Sequence, residues 1–141
     1  MNATRRCPMA VTVAEIIEAA GRTEEFYDAM AGKGDFHLRI ERPSPSIMPL
    51  VIECHDTNTV SVSHYYEQNG DLMADPDIVF LASPQGWKAI EYTQHNLNIY
   101  QCAGEGRYLP SATSFSNGTW ARNIREQGFV EAAKNQAMAT R

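Results

Sequence analysis

The chain has 141 residues, a net charge of −5 and 43% hydrophobic residues. Such a length predicts one domain with enough interior to bury a normal core. The acidic balance argues against a protein built to hold nucleic acid by its phosphates, which would show a basic stripe.

No apolar run approaches the roughly 18 residues of a membrane helix. The start, MNATRRCPMAVTV, lacks the apolar stretch of a secretory signal. Cys7, Cys54 and Cys102 form an odd set with no staple pattern for a Cys54–Cys102 bridge, which points to reduced thiols and a cytoplasmic protein. Residues 1–10 read as a frayed tail, 11–134 as a single α+β domain and 135–141 as a second frayed tail.

In chain order, Val11–Ala20 reads as a helix with Val13, Ile16, Ile17 and Ala20 on one face. Thr12 is the expected N-cap and Glu15 completes a capping box. Gly21 ends the helix. Glu24–Ala31 is a second helix with Phe26, Tyr27 and Met30 inward. Gly32-Lys33-Gly34 is a hinge and lacks the spacing of a phosphate loop.

Phe36, Leu38 and Ile40 then alternate with His37, Arg39 and Glu41, a strand. Prolines force a loop through Arg42–Ser46. Leu50, Ile52 and Cys54 mark a second strand, and Val60, Val62, His64 and Tyr66 a third. Asn69-Gly70 suits a tight hairpin turn. Asp75-Pro76-Asp77 predicts a kink or an edge position, because proline has no N–H for a central ladder. Ile78–Leu81 resumes that strand. Trp87–Gln94 and Leu97–Cys102 are two more.

A helix is expected from about Ser114 to Gln127, with Phe115, Ala121 and Ile124 on one face, Trp120 beside them and Gly128 as its cap. Phe129 and Val130 would fold back on the sheet. The order predicts an α+β fold: a single antiparallel sheet of about five or six strands, mainly a meander, with N- and C-terminal helices packed on one face.

If Phe36, Leu38, Ile40, Leu50, Ile52, Val60 and Val62 face the core, the opposite face carries His37, Arg39, Glu41, Glu53, His55, Ser61, Ser63, Tyr65 and Glu67. Such a face is a binding surface, an acid–base site, or simply solvated sheet. His64 falls on the core side, where a buried ring needs a partner. Glu67, Asn69, Asp71, Asp75 and Asp77 cluster around the turn, but without the spacing of a calcium loop, so no metal ligand is assigned. No nucleophile elbow is present, and Cys54 and His55 are strand neighbours that point apart, so no catalytic residue is assigned either. Arg122 and Arg125, with Lys134 and Arg107, form a small basic patch. The expected binding surface is Glu53, His55, Tyr65, Glu67, Asn69, Asp71, Asp75 and Asp77.

The stretch SVSHYYEQNGDLMADPD, with FHLRIE and MPLVIECHD before it and TWARNIREQGF after it, resembles a family of small uncharacterised bacterial proteins found on plasmids, phages and integrative elements. The resemblance covers about Phe36 to Phe129 and leaves the N-terminal helices outside. It transfers no catalytic residue. It implies a cytoplasmic accessory protein of a mobile element. The resulting expectation is a non-enzymatic protein without a cofactor that binds another macromolecule, an unidentified protein rather than nucleic acid. In a narrower form it is an anti-defence inhibitor, of anti-CRISPR or anti-restriction type, with an acidic surface. The alternative is a small hydrolytic or metal-assisted enzyme using His55 or His64 with Glu53, Glu67 or Asp71.

Overall fold

Period-two alternation organises the molecule. In the computed structural model, which describes residues 7–139, six strands form one sheet. They are β1 (Phe36–Ile40), β2 (Leu50–Asp56), β3 (Thr59–Gln68), β4 (Asp71–Ser83), β5 (Gly86–Gln94) and β6 (Ile99–Cys102). Each pairs antiparallel with the next, a complete meander.

The helices are α1 (Pro8–Ala19), α2 (Thr23–Met30), α3 (Pro110–Phe115), α4 (Ala121–Glu126) and α5 (Phe129–Ala139). A π-helical turn, Ser116–Trp120, joins α3 to α4 without leaving the right-handed helical region. The helices cover one face of the sheet. There Phe36, Ile40, Ile52, Val62, Ile78 and Phe80 meet Met9, Ile16, Ile17, Ile124 and Phe129 in one buried cluster. None of the helices is long and apolar enough to cross a membrane, among the described residues.

The α+β meander is as the sequence predicts, but several local expectations are corrected. Helix α1 begins at Pro8, a position where a missing N–H is no loss, so Thr12 lies inside the helix and is not its N-cap. The orphan N–H of Met9 instead donates to Asn117 Oδ1 at 3.0 Å, from the π turn. Thr12 is fully buried and accepts a hydrogen bond from Arg125 Nε at 2.9 Å, while Arg125 also pairs with Glu15 at 2.8 Å. Thus Arg125 clamps two helices together rather than facing solvent alone. Tyr27 is 55% exposed, and Ala29 takes the inward place beside Phe26.

The expected tails are also shorter. Residues 8–10 belong to α1, with Met9 fully buried, and residues 135–139 belong to α5; residues 1–6 and 140–141 lie outside the described residues. Pro76 is not at an edge, and the kink expected there is a bulge inside a central strand. β4 is a central strand, and Asp75-Pro76 forms a bulge where Ser63 pairs with Asp77 but Tyr65 pairs with Ala74. The bulge leaves proline out of the ladder, which is how a central strand tolerates it.

Candidate functional site

The face away from the helices is built from residues one step along the same strands. One cross-strand row reads Arg39, Val51, Ser63, Asp77, Thr93 and Tyr100; the next reads His37, Glu53, Ser61, Val79, Glu91 and Cys102. Asp77 sits near the middle of the sheet. It accepts from Ser61 Oγ at 2.8 Å and from the Tyr65 hydroxyl at 3.3 Å, one donor on each carboxylate oxygen. Ser63, its register partner, is fully buried. Ser63 Oγ lies against the Tyr65 phenol yet makes no hydrogen bond of good geometry among the described residues.

Burial holds the Asp77 carboxyl above the usual carboxylate range, more strongly than the Ser61 and Tyr65 hydrogen bonds pull it down. The charges of Glu53 and Glu91 push it the same way. Burial likewise raises the Tyr65 phenol. Glu91 accepts from the Tyr100 hydroxyl at 2.9 Å, and this bond, with the carboxylate charge, pushes Tyr100 up to about 12. Glu53 meets His55 Nε2 at 2.8 Å, and Asp35 lies 3.6 Å from the other ring nitrogen. The Glu53 hydrogen bond, aided by Asp35, raises the His55 pKa. No Lys or Arg forms an ion pair with Glu53, Asp77 or Glu91 among the described residues.

The structure thus brings together four of the eight residues expected at the binding surface: Glu53, His55, Tyr65 and Asp77. The other four lie elsewhere. Beyond the last pairs with β2 and β5, β3 and β4 continue as a two-stranded ribbon closed by Asn69-Gly70. Both turn residues take positive φ, 53° and 84°, as this tight turn requires. Glu67, Asn69 and Asp71 are exposed at its tip. Asp75 sits in the bulge and accepts from Gln94 Nε2 at 2.9 Å. Gln94 is in turn bonded by the Tyr92 hydroxyl.

His64 is on the helix side. Its ring packs 5.8 Å from Trp120 and 5.6 Å from Phe129. Nδ1–H donates to the Pro49 carbonyl at 3.1 Å. Burial lowers its pKa, so the neutral ring is the one the core holds. The imidazoles and carboxylates of the hydrolytic alternative therefore fall in three places: His64 in the core, Glu53 with His55 on the open face, Glu67 and Asp71 at the ribbon tip. No group of three or more His, Cys, Asp or Glu is placed to hold a metal ion among the described residues.

Glu91, Thr93 and Tyr100 join the open face without having been assigned to it from sequence. Alternation along β5 was the available signal, but a bulge hides it: Val79 pairs with Glu91 while Phe80 pairs with Ala89, leaving Ile90 extra.

Residues 11–130 match a family described as a domain of unknown function, DUF6908. The chain belongs to this family. The match takes in nearly all of α1 and the whole of α2, so the N-terminal helices are part of the family domain and not an addition outside it. No curated protein and no solved structure matches the chain.

Proposed function

We propose that this family member is a non-enzymatic binding protein whose open sheet face receives a basic surface of another protein. The supporting observation is the set Glu53, Asp77 and Glu91, which share one face without a Lys or Arg partner among the described residues. Asp77 is held there against its desolvation cost, beside a buried Ser63 hydroxyl left without a good hydrogen bond. A guanidinium or ammonium from a partner would supply the missing countercharge. Tyr65 and Tyr100 add amphipathic rings of the kind enriched at interfaces.

In the narrower form of this reading, the partner is a nucleic-acid-binding protein of a bacterial defence system. The acidic face then occupies the place of the phosphates, and the chain serves a mobile element as an inhibitor in the cytoplasm.

The test is capture from bacterial lysates at low and moderate salt, with the wild type beside a Glu53→Gln/Asp77→Asn/Glu91→Gln variant shown to be folded. The expected result is a stoichiometric partner that the variant does not retain, that moderate salt weakens and that added duplex DNA displaces. Equal retention by wild type and variant would remove the open face from the reading. An empty wild-type capture in several lysates would remove the reading itself.

A further inference from the structure

A second feature lies one register row beyond the acidic residues, where Leu81 follows Val79 on the same face of β4. Leu81 on β4 and Lys88 on β5, register partners near the β4–β5 turn, form one side of an open pocket of about 390 Å³. The other side is the loop between β6 and α3, which contributes Glu105, Arg107 and Tyr108. Ile90, the extra residue of the β5 bulge, also lines it.

The loop is a fixed wall. Ala103 N–H donates to the Ile90 carbonyl at 2.9 Å and Leu109 N–H to the Ala89 carbonyl at 2.7 Å, so both ends are tied to β5. Between them, Arg107 N–H closes a turn onto the Gly104 carbonyl at 2.9 Å, and Gly106 takes φ +74°, which a side-chain-bearing residue would resist. A pocket whose wall is tied in this way is ready before any ligand arrives.

Its chemistry differs from the rest of the surface. Lys88 Nζ stands 4.8 Å from the centroid of the Tyr108 ring, and Arg107 lines the same space. Neither cation forms an ion pair with a carboxylate among the described residues, although Glu105 lies in the same lining. Leu81 is 46% and Tyr108 43% exposed, so large apolar side chains face solvent beside two unneutralised charges. On a chain of net charge −5, two cations thus line one apolar, aromatic-walled pocket.

We infer that this pocket binds a small planar anion: an aromatic or heteroaromatic ring bearing a phosphate or carboxylate. The ring lies against Tyr108, Leu81 and Ile90, and the anion meets Lys88 and Arg107. A phosphate or carboxylate suits Arg107 as a planar fork and Lys88 as a point charge. The pocket lies within the usual size range for small-molecule sites, roughly 300–1,000 Å³.

The test is a two-dimensional amide NMR titration of the full chain with two probes, adenosine 5′-monophosphate and salicylate. Adenosine and inorganic phosphate serve as half-ligands. The expected result is saturable shifts confined to Lys88, Ile90 and residues 103–108 with at least one probe, and binding about tenfold weaker for either half of the nucleotide. Lys88→Gln and Arg107→Gln should each weaken binding about tenfold, the scale of one charge-assisted contact. Tyr108→Leu should weaken it and Tyr108→Phe should keep it; each variant's own spectrum reports whether it is folded. Absence of saturable shifts with both probes at millimolar concentration would overturn the inference. So would binding that the Lys88→Gln and Arg107→Gln variants leave unchanged.

Discussion

The two faces of the sheet put the same strands into opposite environments. Toward the helices, Ile52, Val62 and Ile78 stand in one register row and are fully buried. One residue along, Val51, Ser63 and Asp77 form the neighbouring row on the other side. The first row gains from apolar area removed from water. The second holds a carboxylate that burial disfavours and a hydroxyl without a good partner. Under the proposed reading, the helix face holds the fold and the open face receives the partner.

Crossed readouts separate the two faces. Changes on the helix face should lower stability and leave capture of the proposed partner intact under conditions where the protein is folded. Changes on the open face should do the reverse. The largest effect is expected for Phe129→Ala, which empties a fully buried site packed against His64. Urea unfolding should show a loss of about 3–5 kcal/mol. A loss within the range of exposed substitutions, about 0.5 kcal/mol, would mean that α5 is not part of the core.

Next comes Asn117→Ala. It removes the acceptor that caps Met9 N–H at the start of α1, and a cap is worth about 1 kcal/mol. The same variant should bind the proposed partner as the wild type does. An unchanged unfolding midpoint would show that water caps α1 equally well.

The smallest effect is a slope. His64 has a folded pKa below its unfolded value of 6.5, so the unfolded chain binds the proton first. Its contribution is fully present above pH 6.5 and is lost as pH falls through the lowered folded value. Denaturation profiles should therefore show stability declining on the acid side of that pH, and His64→Gln should flatten the decline. An identical slope in both proteins would remove His64 as its source.

How much of this was legible in the sequence depended on where alternation stayed strict. Phe36, Leu38 and Ile40 pair with Cys54, Ile52 and Leu50 in unbroken register, and the two faces of β1 and β2 follow directly. In β4 and β5 the bulges at Asp75-Pro76 and Ile90 shift the parity. Asp75 is thereby drawn to Gln94, and Glu91 to the side of Asp77. In sequence Asp77 reads as a polar residue near a turn, not as the centre of the face.

The other blind spot was long range. The Met9–Asn117 cap spans 108 positions, and no local motif announces it. Helix α5 has little apolar patterning after Ala133. Yet Gln136 donates to the Arg39 carbonyl at 2.7 Å and accepts from Glu41 N–H at 3.1 Å, pinning the helix to the edge of β1. A polar residue satisfying an edge strand reads, in sequence, like a tail.

The most direct measurement is the unfolding free energy of Asp77→Asn against wild type at neutral and acid pH. The Asp77 pKa is raised in the folded state above its unfolded value of 3.8. Its favourable contribution is therefore fully present below pH 3.8 and is lost as pH rises through the folded value, so that at neutral pH the ionised group is a net cost. Asn keeps an acceptor for Ser61 or Tyr65 without the charge. Asp77→Asn should be more stable than wild type at pH 7, the gain should shrink as pH falls toward 3.8, and the variant should no longer retain the proposed partner. A variant less stable than wild type at pH 7 would mean that the carboxylate holds the sheet together, and the distinction between the two faces would fail.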